Sequence, residues 1–130
     1  MMGAPGKPGF AALPTREEAR ALLARGDSDN VAVSAQPTTL PFPIDQAQAR
    51  VLGAVGTLSG WSLVAAGTDV VWATRTTPML GFVDDVLILL TPDETGTRVE
   101  ARSASRVGSG DLGRNRTTLR ELHRALSRWT

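Results

Sequence analysis

The chain has no cysteine in its 130 residues and a single histidine, His123. The first absence excludes disulfides, thiolate metal sites and a cysteine nucleophile. The second excludes a multi-histidine metal cluster. Acidic and basic side chains nearly cancel to a formal charge of +1, so no global field steers nucleic acid to the surface. No apolar run is long enough to span a bilayer. The opening stretch Met1–Phe10, interrupted by glycine and proline, lacks the continuous apolar centre of a secretory signal. The expectation is therefore a cytoplasmic protein with no membrane or nucleic-acid partner, no metal and no cofactor. What is present is ordinary: 42% hydrophobic and 21% charged residues, in a length that buries a core without staples.

Residues 1–29 are expected to form a flexible segment with one short helix, and residues 30–130 a single domain. The first thirteen residues are rich in Gly, Pro and Ala. Thr15 and Glu18 have the spacing of a capping box, opening a helix from about Arg16 to Arg25 that is too short to persist unless it docks. An extended arm with a short strand around Val31 and Val33 follows, and Pro37, Pro41 and Pro43 keep it out of helix and central strand. Asp45 and Gln48 predict a second capping box and a helix to about Leu58, with Gly53 and Gly56 read as points of close packing on a sheet. Strands are expected at Trp61–Ala66, Val70–Thr76, Phe82–Leu90 and Arg98–Val107, with a loop over Thr91–Gly96. A last helix from about Leu112 to Trp129 carries the stripe Leu112, Asn115, Leu119, Leu122, Leu126 and Trp129 at alternating spacings of three and four. Its other side bears Arg116, Arg120, Arg124 and Arg128, a solvated row without the interleaved aromatics that stack on bases. The expected fold class is α+β: an antiparallel sheet of three or four strands with the two main helices packed on one face.

Between the last strand and the last helix lies Gly108-x-Gly110-x-x-Gly113, which has the order of a dinucleotide-binding turn. The rest of that unit is missing. No parallel strand follows the helix, no acidic residue can sit about 20 positions downstream for a ribose, and the incoming strand is too polar for a buried parallel one.

Symmetric closure of the Thr91–Gly96 loop sets Ala104 opposite Asp84, diagonal to Arg102 and Arg106, and sets Asp85 opposite Ser103 near Ser105. An ionised Asp85 on that core face needs donors from Ser103, Ser105, Asn115 or the helix start, where Asp111 is expected as N-cap. Two readings follow. In the first, Asp84, Asp85, Ser103, Ser105, Asp111 and Asn115 form a structural polar cluster in a non-catalytic binding or interaction module. In the second, Arg102, Arg106 and Arg114 approach Gly108 and Ser109 at the helix start and hold a small phosphate- or carboxylate-bearing ligand, and an enzyme acting on such a ligand would use Asp84 or Asp85 as base. No residue is assigned as catalytic: there is no G-x-S-x-G elbow, and His123 lies two turns into the last helix.

Three stretches resemble domain-of-unknown-function family 1499. They are Asn30-Val31-Ala32-Val33-Ser34, Gly81-Phe82-Val83-Asp84-Asp85-Val86 and the run from Arg102 through Asn115. The resemblance spans about Asn30 to Trp129. In that family the position of Gly110 is typically serine and that of Ala32 commonly cysteine. The resemblance implies that the polar cluster belongs to a family pattern, and it carries no biochemical activity.

Overall fold

The computed structural model describes residues 9–106 and 113–130. Helix α1 (Arg16–Ala24) opens on the capping box its sequence predicts: Glu18 N donates to Thr15 Oγ1 and Thr15 N to Glu18 Oε1. Helix α2 (Ile44–Thr57) does not use its expected cap. Pro43, fixed near φ −60°, is the N-cap, and its carbonyl accepts from Ala47 N at 2.9 Å, so the helix starts ahead of Asp45. Asp45 lies in the first turn, where its charge suits the helix dipole. Gln48 reaches instead to the Gly67 carbonyl at 2.8 Å. Gly53 and Gly56 face open space rather than the sheet, which corrects the close-packing expectation.

The strands are β1 (Val31–Val33), β2 (Thr38–Leu40), β3 (Trp61–Ala66), β4 (Val70–Thr76), β5 (Val83–Asp93) and β6 (Gly96–Ser105). They form one antiparallel sheet in the order β1-β6-β5-β4-β3, with β2 also paired to β6. The fold is thus α+β with three helices and six strands among the described residues, rather than three or four strands. Pro37 and Pro41 fall between and after β1 and β2, where no ladder N–H is needed, so both short strands join the edge.

Helix α3 (Arg114–Ser127) and α2 cover one face of the sheet. Val51 and Val55 of α2 and Leu122 and Leu126 of α3 pack there on Val86 and Ile88. The opposite face is covered by α1 and the chain before it: Ala19 sits on Val70, Trp72, Leu87 and Leu89, with Phe10 edge-on to Trp72 at 5.2 Å. Strand β5 is therefore buried on both sides from Val83 to Leu90, which is why it reads as an unbroken apolar run after its two aspartates.

The β5–β6 hairpin turns in two residues, Glu94 and Thr95, with Asp93 opposite Gly96. Asp93 Oδ1 accepts from Thr95 N, and this bond holds the Asp93 carboxyl below its usual range. Gly96 has φ +145°, and a Cβ there would lie 2.0 Å from the Leu40 carbonyl oxygen, so only glycine lets β2 cross beside the turn. The turn centre falls between Glu94 and Thr95, half a residue beyond the symmetric loop expected. The register shifts by one: Asp84 faces Ser105 and Asp85 faces Ala104. Because side chains alternate, that slip reassigns the partners of both aspartates.

Candidate functional site

Asp84 points toward α3 and has no exposed surface. Arg114, in the first turn of α3, donates to its Oδ1 from Nε at 3.0 Å and Nη2 at 2.9 Å, and Thr118 Oγ1 donates to Oδ2 at 3.1 Å. The same guanidinium donates to Ser105 Oγ at 2.7 Å and stands 5.0 Å over the Phe82 ring. A cation in the first turn opposes the helix dipole, and Asp84 neutralises it. Asn115 extends the cluster: its amide donates to Ser105 Oγ and to the Asn30 carbonyl, and its Oδ1 accepts from Ser103 Oγ at 2.5 Å. One polar knot thus ties β5, β6 and the residue before β1 to the start of α3.

Asp85 points the other way and is 3% exposed. It accepts from Arg106 Nε at 2.8 Å and Nη2 at 3.0 Å, from the Trp72 indole at 2.8 Å and from Gly9 N at 3.1 Å. Donating to the Asp85 carboxylate holds the Arg106 pKa above its ordinary value. Losing one partner of such a buried pair leaves an uncompensated charge, at about 3–5 kcal/mol.

The expected residues therefore gather, with exchanged roles. Asp84, not Asp85, meets the donors around Ser105 and Asn115, and Asp85, not Asp84, shares a face with Arg102 and Arg106. The N-cap of α3 is Gly113 at φ 83°, with no side-chain cap bond, so that position is not held by Asp111. Asp111, Gly108 and Ser109 lie outside the described residues. The Arg102 side chain makes no hydrogen bond with any described residue, and its Nε is shielded without a partner.

Sequence reasoning missed Thr118 and Trp72. Thr118 lies four residues after Arg114, a helical neighbour spacing that could have drawn it in. Trp72 faces Leu87 in the β4–β5 ladder, and its indole reaches diagonally to Asp85. A second pair went unseen as well: Glu121 of α3 accepts from Trp61 Nε1 at 2.8 Å and from Arg75 Nη2 at 2.9 Å.

His123 faces a small cleft lined by Ser34, Gln36, Arg116 and Arg120. Its Nε2 lies 2.9 Å from Ser34 Oγ and its Nδ1 2.5 Å from Thr38 Oγ1, and burial pushes its pKa down. Ser34 is also a ladder element: its N donates to the Ala101 carbonyl and its Oγ accepts from Ala101 N, continuing the pairing where β1 ends. Among the described residues no three of His, Asp and Glu converge to hold a metal ion, and no helix is long and apolar enough to cross a membrane.

A sheet covered on both faces, with two adjacent carboxylates each clamped by its own arginine, defines an α+β domain organised about a buried ion-pair core. The chain belongs to the family described as "Protein of unknown function (DUF1499)", which matches residues 16–126. No curated protein matches it. It is similar to the crystal structure of protein NE0264 from Nitrosomonas europaea, with 13% identity and a TM-score of 0.47, covering 80% of this chain and 98% of that one. It is similar also to protein MLL2253 from Mesorhizobium loti, with 13% identity and a TM-score of 0.46, covering 77% and 98%.

Proposed function

We propose that this domain is a non-catalytic binding or interaction module in which the Asp84/Asp85 cluster serves architecture. The supporting observation is saturation. Each carboxylate accepts a two-pronged arginine and at least one further donor from another element. A general acid or base must reach the proton it transfers. Both carboxylates are buried and committed to partners that hold the sheet to its helix and N-terminal layers.

The second reading, a binder of or enzyme acting on a small anionic ligand, is favoured by one observation: Arg102 lacks the partner that Arg106 and Arg114 have. Denaturant unfolding of Asp84→Asn, Arg114→Gln and the double variant tests the architectural role. Each single change is expected to lower stability by about 3–5 kcal/mol, and the pair by less than the sum. Unchanged or raised stability in Asp84→Asn would show that the carboxylate is kept for activity, since functional groups are commonly held at a cost to the fold.

A further inference from the structure

On the α1-facing side of β6 the side chains run Arg98, Glu100, Arg102, Ala104 and Arg106. Every carboxylate there is committed. Glu100 takes Arg20 at 3.0 Å and Arg98 at 3.5 Å, while Asp85 takes Arg106, Trp72 and Gly9. Arg102 is left over. Its cross-strand neighbours are Val33 and Leu87, which offer no side-chain acceptor. The residue is half-buried, with Nε sealed from solvent and unpartnered among the described residues. A second cation stands near: Arg25, at the C-cap of α1. Burial first and Arg25 second push the Arg102 pKa down, while Asp85 pulls it up.

Two other arginines also have a shielded Nε, but each has compensation. Arg98 lies on Glu100, and Arg50 stacks 3.7 Å over the Phe42 ring. Among the described residues, Arg102 is the arginine whose shielded Nε has neither a carboxylate partner nor a ring beneath it to offset the charge. A guanidinium so placed opposes the fold, and an oxyanion taking two parallel N–H bonds, as a carboxylate or a phosphate does, is the group that satisfies it.

We propose that Arg102, assisted by Arg25, is an oxyanion-binding site that takes the carboxylate or phosphate group of a small ligand. The site rests on the second reading above, a binder of a small anionic ligand, and gives that ligand a place, between β6 and the end of α1.

Thermal melts of the full chain test it, in inorganic phosphate or in acetate at millimolar concentration with ionic strength held constant by chloride. Arg102→Met keeps the aliphatic stem and removes the charge. Without added anion this variant is expected to melt about 1–3 °C above the parent, because an uncompensated charge is gone. Phosphate or acetate is expected to raise the Tm of the parent but not of Arg102→Met, and Arg25→Gln should weaken the effect severalfold. The Arg102 Nε–H resonance should move saturably in the same titration. The more effective anion identifies the group as phosphate or carboxylate.

A lower Tm for Arg102→Met without anion would give Arg102 a structural partner and overturn the site. No response of the parent to either anion would also overturn it. A response that persists in Arg102→Met would locate the anion elsewhere, sinking this site while leaving a binding module. The Asp84→Asn measurement does not involve Arg102, so it judges the architectural reading separately.

Discussion

A histidine held at both ring nitrogens and partly shut from water responds to protons with a sign its surroundings set. His123 lies between Ser34 and Thr38, and the charged groups in its cleft are Arg116 and Arg120, so nothing there stabilises an imidazolium. Burial lowers its folded pKa from the ordinary 6.5, so the unfolded chain takes up the proton first. The contribution is fully present above about pH 6.5 and is lost as pH falls through that value toward the lowered folded one. The melting temperature is expected to drop between about pH 7.5 and about pH 5.5, and His123→Gln should flatten that dependence whatever it does to absolute stability. Identical slopes in the two proteins would assign the dependence to other groups. The lone histidine was legible only as an excluded metal cluster. Its real partners come from residues some 85–89 positions away, a separation no local pattern records.

At the scale of elements, α1 seals one face of the sheet with few side chains: Ala19 is fully buried, Leu23 nearly so, and Arg20 reaches Glu100 and Thr91. A chain beginning at Asp29 would uncover Trp72, Leu87 and Leu89 and take Gly9 from Asp85. The melting temperature of that chain is expected to fall by more than about 10 °C, since several buried apolar side chains return to water. A melt within a few degrees of the parent would establish residues 1–29 as separable. The helix itself was legible because Thr15 and Glu18, three positions apart, state its start. The β5–β6 register was not, for a reason in β5 itself. Asp84-Asp85 followed by Val86-Leu87-Ile88-Leu89-Leu90 reads almost the same after a slip of one residue, because both faces are buried and both polar positions are aspartate. The register is set instead by the two-residue turn and by Gly96, whose backbone is pressed by a strand more than fifty residues earlier. The polar residues could thus be gathered from sequence, while which arginine meets which aspartate could not.

The whole molecule is three layers about a sheet whose hub is β6, which pairs with β5 on one side and with both β1 and β2 on the other. The central meander from β3 to β6 closes through neighbouring hairpins, whereas Val31 finds Ala104 only at a separation of 73 positions along the chain. Local closures cost less chain entropy than distant ones and come earlier. Time therefore enters the topology: β1 and β2 have no strand to pair with until the hairpin ending at Ser105 exists. Pulse-labelled hydrogen exchange during refolding should find the β4 and β5 amides protected before that of Ser34, which donates to the Ala101 carbonyl of β6, and simultaneous protection would show a single concerted step. On a ribosome the consequence is sharper. β1 and β2 leave the exit tunnel ahead of the strand they pair with, and they must wait, unpaired, until β6 has been made.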